Sequence, residues 1–449
     1  MKCFSKRALA VAFIMLSVVL ASCGKSKPAA SVQPTQQSQS EASAQPTASE
    51  SKELVVWILS SFNTESERNY YNQMINEIDL LHDEFTVRVE VMPDIFNVLL
   101  ASVVSGDLPD ISMSDGARTG LLAHAEVFIP LDEYLPDEIR ADLLPSIIDE
   151  CTYKNQMYFF AQYDSGHALW ANKKLLSEVG ARIPVSYKDA WDKAEFEEIC
   201  AKLKEKGYWA IDIGQYNQTG TNLYYAYLPV LKSFGGDWMN RETMMADGGL
   251  NSEGTIAAAE YLHWLAQQGY LDERADSDDG FLGRQDTALL LYGNWMTPDV
   301  ETILGDDGIL VPIPDFGNGV YSVGGSQTWG ITVQAEENGT LDECVTFMLE
   351  LLDPDFIQAM TDSNGSIASR RSVLEKDLKY QPGEKLYLYR EQLEAGIVVN
   401  RPNTPAMTLL RTAGGQAVRD AMTYGNTREL LNQAAKDVDQ LIVDNKYND

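Results

Sequence analysis

The run LVVWIL at residues 54–59 is short and unbroken, as in a strand buried on both faces. SSFN ends it before Thr64 and Glu67 take up the spacing of a helix capping box. Tyr71, Met74, Ile75 and Ile78 then recur at helical intervals, and residues 86–92 alternate polar with apolar side chains as far as Pro93. Strand, helix, strand in this order predicts a parallel pair joined by a crossover. A second helix is expected from about Asp94 to Ser105 and Gly106, followed by another buried strand at 110–113. The alternation returns later. Ser186 and Asp189 are expected to open a helix that carries Phe196, Ile199, Cys200 and Leu203 on one side and stops at Gly207, ahead of a strand at 208–213. Residues 251–268 read as a helix with Ala258, Tyr261, Leu262 and Leu265 on one face, and 288–292 as a buried strand ending at Gly293. From Thr427 a last helix presents Leu431, Ala434, Val438, Leu441 and Ile442. Helices and strands that alternate without an internal repeat predict layered α/β units.

The first fifty residues follow another pattern. Lys2, Lys6 and Arg7 precede an apolar run at 8–20 that is too short to span a bilayer, and small residues lead up to Cys23. This is an export signal. The tetrad Leu20, Ala21, Ser22 and Cys23 resembles the lipobox of bacterial lipoproteins, in which cleavage precedes the cysteine and lipid is attached to it. The resemblance implies a signal peptide at 1–22, lipidation of Cys23 and a cell-membrane location on the extracytoplasmic face. Residues 24–52 consist largely of Ser, Gln, Ala, Pro and Thr with no aromatic side chain, so 23–52 reads as a lipidated cysteine and a disordered tether. Such a chain reaches on the order of 30 Å.

A chain of 449 residues leaves room for two or three domain-sized units after the signal and tether. Its net charge of −31, which falls to −34 without Lys2, Lys6 and Arg7, argues against nucleic acid and anionic headgroups as partners. Cys151, Cys200 and Cys344 are far apart, with neither zinc nor disulfide spacing, and read as small buried side chains. No cofactor or metal signature is present in the pattern, and His82, His124, His167 and His263 lack ligand spacing. The expectation is a monomer without cofactors.

Several segments taken together resemble the extracellular solute-binding proteins of bacterial ABC sugar importers, the class of maltose-binding protein. They are LLASVVSGDLPDI at 99–111, GLLAHAEVFIPLDEYL at 120–135, ALWANKKLLSEVG at 168–180, and TALLLYGNW at 287–295 followed by LVPIPDF at 310–316. The resemblance covers essentially 53–449. It implies a two-lobe α/β fold like that of periplasmic binding proteins, each lobe a mostly parallel sheet flanked by helices, joined by a hinge. The lobes are expected at 53–162 plus 324–368 and at 163–323 plus 369–449. The function implied is capture of a sugar or oligosaccharide between the lobes and delivery to ABC transporter permease subunits, without catalysis. Two departures stand out: Ala368 where the family often has proline, and Arg411 where maltose-type members have an aromatic that stacks on sugar. The expected ligand is neutral or weakly charged, with Arg411 leaving the question of charge open.

A sugar offers hydroxyl edges and weakly apolar ring faces, so its site needs flat aromatics beside amide, carboxylate or guanidinium groups. In open α/β sheets such groups sit at the carboxyl ends of strands. Trp295, directly after a strand and Gly293-Asn294, is the first candidate. Tyr225 is the second, with Tyr224 and Tyr227 as neighbours that could take its place. Tyr163 and Asp164 stand at the expected first crossing between lobes, and Trp329 lies in GGSQTWG where the chain returns. Phe62, Asp115, Asn217, Arg411 and Trp238, the last as a rim residue, complete the set. Trp57, Trp191 and Trp264 read as core. The rival readings are a surface glycan hydrolase with two carboxylates, a weak signal among 66 acidic residues, and an adhesion lipoprotein.

Overall fold

A computed structural model describes residues 51–60, 65–214, 221–272 and 279–448. The apolar run at 54–59 becomes the strand Lys52–Leu59, parallel to Phe85–Met92 on one side and to Ile111–Asp115 on the other. Helices Glu65–Leu81 and Ile95–Ser105 supply the crossovers. The first buries Tyr71, Met74, Ile75 and Ile78, and Gly106 ends the second at φ +72°, a conformation that costs a residue with a Cβ. Thr64 lies outside the described residues; Glu67 is buried and accepts a hydrogen bond from Asn364. Gln327–Ile331 completes this sheet as an antiparallel edge strand against Ile111–Asp115.

The second sheet runs in the order Gly308–Val311, His167–Asn172, Thr287–Gly293, Trp209–Asp212. Its pairing corrects the expectation of a mostly parallel sheet in each lobe. Two of its contacts are antiparallel, and only Trp209–Asp212 against Thr287–Gly293 is parallel. Every side chain of His167–Asn172 is buried, as in a central parallel strand. Burial on both faces does not disclose strand direction.

The helix at 193–205 also starts later than expected. Ser186 and Asp189 do form a reciprocal capping box, but it closes only the single turn Tyr187–Asp189, and Asp192 then caps Lys193–Glu205 by accepting from the Glu195 amide. Helices Glu253–Gln268, Gly415–Tyr424 and Thr427–Asp444 pack together over the second sheet. Leu441 is 42% exposed, because it stands about 100° around the last helix from Ile442, which is buried. Cys151, Cys200 and Cys344 are free and buried. Among the described residues, no helix is long and apolar enough to cross a membrane.

The chain passes between the two sheets repeatedly, and short strands stitch the passes together. Tyr163–Asp164 pairs with Ile367–Ala368, and Ser322–Val323 with Val398–Val399. The core is continuous here: Tyr163, Ile367, Tyr380 and Tyr389 join the first sheet's interior to the face of the second that carries Ala168, Trp170 and Leu290. Residues 373–389, expected with the second lobe, pack into this shared core.

Candidate functional site

Where the passes meet, three aromatic rings gather. Tyr225, on the helix Thr221–Ala226, and Trp295, on the turn after Thr287–Gly293, are half-buried and nearly parallel, with centroids 6.0 Å apart and planes at 11°. The His167 ring stands edge-on to both, at 4.5 and 5.2 Å. Burial pushes this imidazole down to about 3, so it stays neutral at physiological pH. Tyr292 also meets the indole edge-on at 5.4 Å. Gly293 makes this packing possible: a Cβ there would lie 2.0 Å from the Trp295 ring. The Tyr225 hydroxyl is 2.7 Å from Ser165 Oγ.

The Arg401 guanidinium lies over the Tyr225 ring, 4.4 Å from its centroid. It donates to both Asp115 oxygens, at 2.9 and 3.4 Å, and to Glu150 Oε1 at 3.4 Å. Burial works against the ionised Asp115, but the Arg401 and Arg118 charges and the Ala117 amide hold its pKa below the ordinary value. Glu150 goes the other way: burial, with Asp164 and Asp115 nearby, pushes it up to about 8 despite Arg401 and a 2.6 Å hydrogen bond from Ser326 Oγ. Asp164 is pushed up to about 6 by burial, while its oxygens accept from Ser146 Oγ at 2.5 Å and from the amides of Ser165 and Gly325 at 2.8 and 3.0 Å. One carboxylate thus pins two passes of the chain, and Arg401 ties a third to the end of the first sheet.

The expected residues divide accordingly. Tyr225, Trp295, Asp164 and Asp115 come together around His167 and Arg401. Tyr163 is buried beside them in the shared core, its hydrogen-bonding strand turned toward Ile367–Ala368. Trp329 and Trp238 do not face a cleft. Trp329 is 1% exposed because its register opposite Met113 turns it into the first lobe, 5.7 Å from the Tyr71 ring and 6.2 Å from Phe347. Trp238 is wholly buried against Tyr224 in the second. Arg411 is half-buried in the turn Leu410–Gly414. Phe62, Asn217 and Cys23 lie outside the described residues. Trp57 and Trp191 are core as expected, and Trp264 is partly buried against Tyr261. The sequence reading missed Arg401, Glu150, His167 and Ser165; the polar run NRPNTP at 400–405, between two apolar segments, was the available signal for Arg401.

A family model described as bacterial extracellular solute-binding protein matches residues 66–350, well over half of the chain. The maltotriose-binding protein of Pyrococcus abyssi is 25% identical over 128 residues, 28% of this chain and 28% of that relative's length. Among solved structures, the cyclic α-maltosyl-1,6-maltose binding protein from Arthrobacter globiformis superposes with a TM-score of 0.72 at 20% identity, covering 88% of this chain and 100% of its own. The GacH receptor of Streptomyces glaucescens, solved unliganded and with acarbose, has a TM-score of 0.72 at 18% identity, with 88% and 99% covered. For the Thermus thermophilus maltotriose binding protein bound with maltotriose the values are 0.69 and 18%, with 87% and 100% covered. At these identities the superpositions establish the fold, two α/β lobes around a hinge. With most of its length matched by the family model, this chain belongs to the bacterial extracellular solute-binding proteins.

Proposed function

We propose that this chain is a lipid-anchored sugar-binding protein, held at Cys23 on the extracytoplasmic face of the cell membrane, that encloses a saccharide between its lobes and hands it to ABC transporter permeases. The observation that carries this reading is the interlobe group of Tyr225 and Trp295, two half-buried, nearly parallel rings flanked by a guanidinium and carboxylates. Flat apolar faces beside charged hydrogen-bonding edges suit a sugar ring and its hydroxyls. The lobes are taken as 53–162 plus 324–368 and 163–323 plus 369–449, the latter sharing residues 373–389 with the common core. Ligand that touches both lobes gains its full interaction only when they are closed, so binding shifts the population toward closure.

The protein works as a monomer and performs no chemistry on its ligand. Incubation with oligosaccharides tests this: stoichiometric, saturable binding without product supports the reading, and turnover makes it a hydrolase instead. Cys23→Ser should release the protein from membranes or leave its signal uncut; undiminished lipid labelling of that variant refutes the anchor. Growth on the bound sugar that survives deletion of the gene, with no redundant binder, counts against transport.

A further inference from the structure

Several arginines of this acidic protein are matched with carboxylates: Arg140 with Asp132, Arg182 with Glu195, Arg370 with Asp142 and Arg428 with Glu253. Two near the lobe interface are not. Arg118 follows the strand Ile111–Asp115 and is only 6% exposed, yet it makes no hydrogen bond or ion pair among the described residues. Its guanidinium lies over the Phe96 ring, 4.3 Å from the centroid. Arg411, on a turn packed into the second lobe, has its Nε buried with no hydrogen-bond partner. The turn Leu410–Gly414 that carries Arg411 packs against the helix Thr221–Ala226, whose Tyr225 ring lies under Arg401, so three guanidinia from different parts of the chain converge. Burial lowers the Arg118 pKa despite the attraction of Asp115, and repulsion from Arg411 and Arg401 adds to the lowering. Asp115 attracts Arg118 more than Asp94 does, but neither forms an ion pair with it among the described residues, and the Asp115 oxygens are taken up by Arg401, which also holds Glu150.

A buried cation without an ion pair destabilises the fold that carries it, and one anion could relieve Arg118 together with the half-buried Arg411 of the other lobe. We propose that the cleft takes an acidic saccharide, whose anionic group is held between Arg118 and Arg411. This rests on the sugar-binding reading above and settles the charge that the sequence left open at Arg411 in favour of an anion. The Phe96 ring lies against the Arg118 guanidinium, whose N–H donors suit a two-pronged contact with a carboxylate or a phosphate ester equally. Arg411 brings a cation where an aromatic would serve a neutral ring.

Calorimetry of the mature protein with trigalacturonate, glucose 6-phosphate and maltotriose tests this, alongside Arg118→Gln and Arg411→Gln. An acidic probe should bind at least about tenfold tighter than maltotriose, and each substitution should remove about tenfold or more of that preference. Ligand-free Arg118→Gln should melt no lower than the parent, since the cost of burying the guanidinium outweighs the attraction of Asp115 in the empty protein. Preference for trigalacturonate identifies a carboxylate and preference for glucose 6-phosphate a phosphate ester; either upholds the site. Maltotriose binding as tightly as both acidic probes overturns the proposal and leaves the sugar-binding reading standing. An acidic preference that survives both substitutions, or a lowered melting point for Arg118→Gln, also overturns it. Failure of all three probes to bind at millimolar concentration removes both readings.

Discussion

Glu150→Gln should flatten the pH dependence of this protein's stability above pH 6. The Glu150 carboxyl is buried, and burial with two neighbouring carboxylates raises it from 4.5 to about 8. Between those values the folded protein keeps a proton that the unfolded chain gives up, so stability falls as pH rises through the window. The full gap corresponds to about 5 kcal/mol, of which about 2 kcal/mol falls between pH 6 and pH 8. Asp164, raised from 3.8 to about 6, shifts stability in the same direction, but most of its effect is complete below pH 6. The upper window therefore isolates Glu150. Glutamine keeps the length of the side chain and an oxygen that accepts from Ser326 Oγ, as the protonated acid does. Urea unfolding followed by tryptophan fluorescence at pH 5, 6, 7 and 8 should give similar midpoints for the two proteins at pH 5, and a clear advantage to the variant at pH 8. Profiles that run parallel from pH 6 to pH 8, or a variant less stable than the parent at pH 8, would refute the reasoning.

Arg401→Met leaves the Asp115 carboxylate without its ion-pair partner and the protonated Glu150 without the donor to its Oε1, and should cost about 3 to 5 kcal/mol at pH 7, read as a lowered urea midpoint; an unchanged midpoint removes Arg401 from the load it is assigned. Trp295→Ala should weaken saccharide binding about thirtyfold and, with three ring neighbours lost, lower stability by about 1 to 3 kcal/mol. Trp329→Ala should instead lose about 3 to 5 kcal/mol of stability, as a core cavity does, so paired calorimetry and melting curves separate the two tryptophans. Gly293→Ala places a methyl against the Trp295 indole and should reproduce much of the affinity loss of Trp295→Ala in a folded protein; full affinity would mean that the indole position does not matter to the ligand.

Local pattern disclosed much of the first lobe, because residues 52–113 form strands and helices whose partners are close in sequence. The helix face Tyr71, Met74, Ile75, Ile78 and the stop at Gly106 were legible for that reason. Strand direction in the second sheet was not, since His167–Asn172 and Thr287–Gly293 are buried on both faces and either orientation satisfies the same residues. The site was legible where a single segment sufficed, as with Trp295 after its strand. It was hidden where segments converge from afar: Arg401 meets Asp115 and Glu150 across about 250 residues or more, and no spacing rule links them. Trp329 and Trp238 show the converse. Each sits beside glycines as a cleft residue might, and only strand register or helix packing turns it inward.

The edge strand Gln327–Ile331 completes the first sheet, yet it is separated from its partner Ile111–Asp115 by more than two hundred residues. Contacts that close so long a loop form late, and a chain still missing residue 327 has a first lobe with an open sheet edge. The lobe that begins the chain is thus among the last parts able to finish. For a protein whose opening residues read as an export signal, this order is useful: a nascent chain held short of its final pairing stays extensible enough to thread a translocation channel. Under the proposed export, the native state is reached on the far side, once both ends of the loop have arrived.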